Sequence, residues 1–140
     1  MINVTATAIF NKLKANATLM TSLGGVAGNG YKLYHVIAPQ TAVLPYITYG
    51  LLTDYPMGDF DSQVTIEDST WWINVFSKTG SKDAGTISKN MHSVLDNASL
   101  TVTGYKALDC EREFIGTVLY NIETEVYQVP HRYRIRINKT

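Results

Sequence analysis

The sequence predicts an α+β fold, a largely antiparallel or mixed β-sheet packed by an N-terminal helix and a central helix. Two changes of period predict it: apolar residues recur every three or four positions near the N-terminus and again across 81–95, but every second position between and after those stretches. The strand-like stretches also gather on either side of the central helix instead of alternating with helices, which argues against a βαβ array. A chain of 140 residues, 45% hydrophobic and 17% charged, is expected to bury about two thirds of its surface on folding, so residues 1–140 are expected to form a single domain.

Ala6, Ile9, Phe10, Leu13, Ala17 and Met20 make one apolar helical stripe, whose start Asn3 or Thr5 can cap. Asn16 can interrupt it as the N-cap of a short second helix ending at Leu23, before Gly24 and Gly25. Residues 24–30 are expected to form a flexible, turn-rich loop. Tyr31, Leu33, His35 and Ile37 then alternate with Lys32, Tyr34 and Val36 as a strand ended by Pro39, and Pro45 opens a second strand over 46–52. Pro56 and Gly58, set among Asp54, Asp59 and Asp61, mark a loop. The strand Val64–Ser77 carries Trp71, Ile73 and Val75 on one face and Trp72, Asn74 and Phe76 on the other. Neither face is clearly polar, so the strand wants cover on both sides; helices can supply one cover and a second subunit the other.

The helical period returns with Ala84, Ile87, Met91, Val94 and Leu95, with Ser81 as N-cap, Asp83 in the first turn where the helix dipole favours it, and Asn97 at the end. Gly85 inside this helix costs about 1 kcal/mol relative to alanine, which points to a late start or to close backbone packing. Strands over 100–102, 105–115 and 125–138 complete the chain, connected by Gly104 and by 116–124. The second connection is apolar enough to continue the sheet, which leaves the boundaries of the last two strands open.

No catalytic signature emerges. His35, His92 and His131 lie in three different elements without ligand spacing, so no metal site is expected, and no nucleotide-binding or nucleophile-elbow motif is present, so no cofactor is expected. Cys110 lies between Asp109 and Glu111, which discourages a thiolate, and reads as a packed residue. One cysteine permits no internal disulfide, no run approaches the ~18 apolar residues of a membrane span, and Asn11, Lys12, Lys14 and Asn16 break any signal-peptide pattern. Folding in a reducing cytoplasm, with no membrane partner, is the expectation. Asp54, Asp59 and Asp61 can pair as acid and base or hold a divalent ion in a small metal-assisted hydrolase, but with Pro56 and Gly58 among them a solvated hairpin loop is preferred.

Lysine plus arginine equal aspartate plus glutamate at 12 each, yet the charge is arranged in blocks. Residues 1–53 hold Lys12, Lys14 and Lys32 and no acid; 54–68 hold Asp54, Asp59, Asp61, Glu67 and Asp68 and no base. Residues 109–125 carry five acids against Arg112, and the end of the chain carries Arg132, Arg134, Arg136 and Lys139. On strands, alternation puts Arg132, Arg134 and Arg136 on one face, and Asp109, Glu111 and Glu113 on one face of the preceding strand, with Cys110, Arg112 and Phe114 opposite. Three readings follow, in order: ion pairs within one sheet, charged contacts between subunits, and a nucleic-acid-binding module using the three arginines with Tyr127 and Tyr133 as stacking groups.

The run 34–50, with Pro39 and then Leu44-Pro45-Tyr46-Ile47-Thr48-Tyr49-Gly50, the strand Thr70-Trp71-Trp72-Ile73-Asn74-Val75-Phe76-Ser77, and the helix ending Val94-Leu95-Asp96 with Leu100 after it resemble the tail-completion, or tail-to-head joining, proteins of long-tailed bacteriophages. These are packing and turn residues, so the resemblance carries no catalytic residue across. It implies a small α+β subunit similar to the lambda tail terminator. It also implies a self-assembled ring, expected to be a hexamer, that completes the tail tube, contacts the tail tube protein and a head-closure or connector protein, and lets genomic DNA pass. The implied location is the virion, at the head–tail joint, after assembly in the host bacterial cytoplasm. On this reading the subunit and partner contacts are Trp72, Phe76 and the two charge ladders, with the acidic loop Asp54, Asp59 and Asp61 facing another virion protein. Nine tyrosines suit such contacts, because a tyrosine ring is large and apolar while its hydroxyl stays wet.

Overall fold

The computed structural model describes residues 2–25, 31–58 and 64–139. Their elements run α1 (Ile2–Lys14), α2 (Ala17–Ser22), β1 (Leu33–His35), β2 (Tyr46–Gly58), β3 (Val64–Ser77), α3 (Ser81–Leu95), β4 (Tyr105–Ile115), β5 (Leu119–Asn121) and β6 (Val126–Lys139). Among the described residues the six strands form one sheet in the order β1-β2-β3-β6-β4, with β5 also on β6. Only β1 with β2 is parallel, so the sheet is mixed and mostly antiparallel, as expected.

The helices lie on one face. Leu13 and Ile9 of α1, Leu19 of α2, and Ile87, Met91 and Leu95 of α3 are fully buried in one core with Ile47, Trp71, Ile73, Val75, Tyr133, Ile135 and Ile137 of the sheet. The polar tips inside this core all find partners. Trp71 Nε1–H donates to Ser69 Oγ at 3.0 Å, Ser69 Oγ–H to the Ile135 carbonyl at 2.9 Å, and the Tyr133 hydroxyl to Asp96 at 2.8 Å. Burial and the Asp96 bond raise the Tyr133 pKa above the ordinary phenol value.

Helix boundaries follow local chemistry. Asn16 caps α2 as expected, its side chain accepting from the Leu19 N–H at 2.8 Å. Asn3 and Thr5 do not cap α1, which already begins at Ile2. Ser81 is inside α3; Gly80 stands at the N-cap with no side-chain bond, and Asp83 of the first turn accepts instead from Ser77 Oγ at 2.6 Å. After Leu95, Asn97 turns left-handed at φ 56° and its N–H reaches the Cys110 carbonyl at 2.9 Å, tying the helix end to β4.

Several strand expectations are corrected. β1 is three residues long because it pairs only with Ile47–Tyr49. β2 runs on to Gly58, so Asp54, Pro56 and Gly58 are in a strand and not a loop. Beyond Tyr49 its outer edge is free of β1, and an edge is where a sheet tolerates proline. Residues 100–102 are not a strand: Leu100 and Val102 are buried, but among the described residues the segment has no ladder partner. The connection 116–124 contains β5, whose Leu119 and Tyr120 pair with Gln128 and Tyr127 of β6. The expected loop 24–30 lies outside the described residues beyond Gly25.

Gly85 explains itself by neither expected route. The helix starts before it, and a Cβ there would meet nothing within 4 Å. Gly85→Ala is therefore expected to raise the unfolding free energy by about 0.5–1 kcal/mol through helix propensity, measured by urea denaturation; no gain would mean that helix propensity does not set stability at this position.

Candidate functional site

Alternation along β3 and β6 sends Trp72, Asn74 and Phe76, and Arg132, Arg134 and Arg136, to the face without helices. The two charge ladders expected from the sequence meet here. Asp109 stands opposite Arg136 and Glu111 opposite Arg134. Arg136 closes on Asp109, its Nε 2.9 and 3.0 Å from the two carboxylate oxygens and its Nη2 closer still. Arg134, however, turns to the other neighbour, β3, with Nε 2.8 Å from Asp68 Oδ1, and this bond holds the Asp68 carboxyl below its usual range. Glu113 accepts from Thr70 Oγ1 at 3.3 Å. Intrasheet pairing thus joins β3, β6 and β4 across one face.

Simple alternation fails twice along β4, first between Ala107 and Asp109. The β4 register shifts again between Arg112 and Phe114, so Phe114 leaves the face predicted for it and lies opposite Arg132. The Arg132 guanidinium sits 4.7 Å from the Phe114 ring centre, a cation–π contact. On its other side Arg132 pairs with Trp72, whose indole lies across Gly50 of β2 so closely that a Cβ at Gly50 would overlap the ring. Gly50, Trp72, Arg132 and Phe114 form one row across four strands.

Two rows further towards the β5–β6 hairpin, at Tyr46, Phe76 and Gln128, the surface becomes aromatic and concave. The Phe76 ring lies 5.2 Å from Tyr46, which lies 5.7 Å from Tyr34, and Tyr120 lies 4.6 Å from Tyr127. Tyr46, Phe76, Leu119, Tyr120, Ile122 and Gln128 line an open groove of about 770 Å³ along the hairpin. Beside it the chain from Phe114 to Ile122 leaves Phe114, Ile115, Val118, Leu119, Tyr120 and Ile122 exposed. A corner so apolar is more than the scattered hydrophobic residues of an ordinary surface.

Asp54 sits on the helix-side face of β2, across from Ser69 and close to Glu67. Burial, then neighbouring carboxylate charge, raises both pKa values, and among the described residues Asp54 Oδ1 and Glu67 Oε2 have no hydrogen-bond partner. Asp59 and Asp61 lie outside the described residues. Among the described residues no three His, Cys, Asp or Glu side chains assemble as metal ligands, and no helix is long and apolar enough to cross a membrane. Cys110 is buried and its thiol is pushed up to about 12, first by burial and then by nearby carboxylates.

Two of the three histidines, distant in sequence, are brought together. His131 Nδ1–H donates to the Ile73 carbonyl (3.0 Å), so its Nε2 accepts from Ser88 Oγ–H (2.6 Å). Ser88 Oγ then accepts from His92 Nε2–H (3.1 Å), and His92 Nδ1 accepts from Arg112 Nη1–H (2.7 Å). Every donor in this chain has an acceptor only when both imidazoles are neutral. Burial, with the His92 charge next, lowers the His131 pKa to about 4, and burial followed by Arg112 lowers that of His92. Ser88 and His131 are buried, so this pair locks α3 to the sheet and is closed to substrate. Nothing in the spacing of residues 88, 92, 112 and 131 signals the chain; only the pairing of β6 beneath α3 creates it.

A family model described as tail completion protein gp17 matches residues 7–138. No curated protein matches the chain. A chain of the virion of a native gene transfer agent particle is similar in fold, with a TM-score of 0.73 at 15% identity, over 95% of this chain and 93% of that one. The gp17 protein of bacteriophage SPP1 aligns with a TM-score of 0.59 at 17% identity, over 94% of this chain and 87% of its own.

Two outcomes follow from this geometry. Gly50→Ala is expected to displace the Trp72 indole and destabilise by about 1–3 kcal/mol, read by denaturation and by a shift in tryptophan emission. For His131 the folded pKa lies below the ordinary 6.5, so its contribution is complete above pH 6.5 and is lost as pH falls through about 4. Unfolding free energy should drop by about 1–2 kcal/mol between pH 6.5 and about pH 5, and the slope should flatten in His131→Gln. An unchanged slope in that variant would place the titration elsewhere.

Proposed function

This chain belongs to the family of tail completion protein gp17, and on that premise we propose that its copies form a ring at the head-proximal end of a phage tail. It is a structural protein of bacteriophage tails, a component of the virion. The finer reading is that the ring, a hexamer, completes the tail tube against the tail tube protein, offers the surface on which a head-closure or connector protein docks, and passes genomic DNA through its channel without reading it. Assembly takes place in the bacterial host, and the work is non-catalytic, done by interfaces.

The observation that carries this reading is the one-sided cover of the sheet. Helices bury one face, while the other face and the β4–β5 edge leave aromatic and aliphatic side chains around an open groove. Half-buried Trp72 and Phe76 lie on that face, in line with the expectation that a second subunit supplies its cover. The alternative of a nucleic-acid module loses support from the same geometry: Arg134 and Arg136 are engaged by Asp68 and Asp109, and Arg132 lies over Phe114.

Purified protein mixed with tail tubes should give closed rings at one tube end in negative-stain images, and native mass spectra should show a discrete oligomer. A species that stays monomeric in the presence of tubes would overturn the proposal.

A further inference from the structure

Resting on the ring reading above, we infer that neighbouring copies meet through opposite edges of the sheet, the β4–β5 edge of one copy seated on the β1-side surface of the next. The topology sets these surfaces apart. Gln128 of β6 pairs with Phe76 of β3 on one side and Leu119 of β5 on the other, so β5 continues the edge formed by β4, and β1 closes the far end of the sheet.

Each surface combines exposed apolar residues with a cluster of like charge; on the β4–β5 edge the cluster lies towards β5, with exposed Lys106 at the far end of β4. On the β4–β5 edge Ile115, Val118, Leu119 and Ile122 are exposed, Ile122 by 82%. Around them stand Glu111, Glu113, Glu123 and Glu125, none of which is in an ion pair among the described residues. On the β1 side Val36, Ile37 and Val43 are exposed, Ile37 by 78%. Lys14 there rides over the rings of Phe10 and Tyr31, Lys32 directly precedes the strand, and residues 1–53 contain no acid. Val36 is held at φ 70°, a conformation that a β-branched residue rarely adopts, with its N–H on the Tyr49 carbonyl at 2.8 Å. That strain keeps Val36 and Ile37 outside the sheet instead of extending β1.

The signs determine how copies can meet. Two acidic β4–β5 edges repel, as do two basic β1 sides, so a symmetric pair is disfavoured and a head-to-tail contact is favoured. A head-to-tail contact between different surfaces generates a ring when its rotation closes.

The test is a charge swap read by sedimentation velocity and by ring occupancy on tail tubes. Lys14→Glu with Lys32→Glu, and separately Glu123→Lys with Glu125→Lys, are each expected to weaken self-association at least about tenfold while the subunit still unfolds in one cooperative transition. An equimolar mixture of the two variants is expected to restore assembly, because the copies can alternate with every contact complementary. Unchanged association in either variant, or a mixture that fails to restore it, would overturn this assignment of edges while wild-type rings leave the ring reading intact. Wild-type protein that forms no ring even on tubes would instead remove the ring reading itself.

Discussion

The pairing of β3 with β6 is the constraint on which the rest of the structure depends. The two strands lie antiparallel from Ile66 opposite Asn138 to Ser77 opposite Tyr127, and their cross-strand neighbours Trp71 and Tyr133 are both fully buried beneath the helices. Burying two such large rings is among the strongest stabilising terms available to a chain of this size. It is possible here because each polar tip has a partner: the indole N–H on Ser69, the phenol on Asp96 at the end of α3. Since a strand alternates its side chains, directing Trp71, Ile73, Tyr133 and Ile135 inward obliges Trp72, Phe76 and the three arginines to face outward. A one-residue slip would reverse both sets, so core and assembly surface are specified by the same register.

The outward face is then organised by charge and aromatic contact in place of helices. Arg136 with Asp109 and Arg134 with Asp68 stitch three strands together, though part-exposed pairs of this kind contribute little net stability. Their larger effect is to neutralise the middle of the sheet. Glu111, Glu113, Glu123 and Glu125 stand outside ion pairs towards the β5 end of the β4–β5 edge, and Lys14 and Lys32 stand on the β1 side, a distribution suited to orienting copies of the chain rather than to gripping phosphate.

Much of this was legible in the residues. The helical stripe of Ile9 and Leu13, the cap at Asn16, the four-residue spacing of Ile87, Met91 and Leu95, and the two-faced strand 71–76 all carry their own periodicity or capping chemistry. Alternation alone put the acidic residues on one face of their strand and the arginines on one face of theirs, with pairing within one sheet the first of three readings. The misread strands share one cause, a dependence on neighbours. Pro56 looks like a strand breaker until β1 is seen to leave that edge free, and Leu100 and Val102 look like a strand until no partner is found for them. The bulge at Glu113, which moves Phe114 to the Arg132 face, answers to the geometry of β6 and leaves no mark in the local pattern.

By itself the sequence determined the class of fold, the helices, the central strand and the family resemblance, because those depend on period and propensity within a few residues. The tertiary structure alone decided which side of the sheet the helices cover, that Arg134 takes Asp68 across β3 and not Glu111 across β4, and that His92, Ser88, His131 and Arg112 form one chain. Each of these is a contact between residues far apart along the chain, and such contacts exist only once strand order and register have brought them within hydrogen-bonding distance.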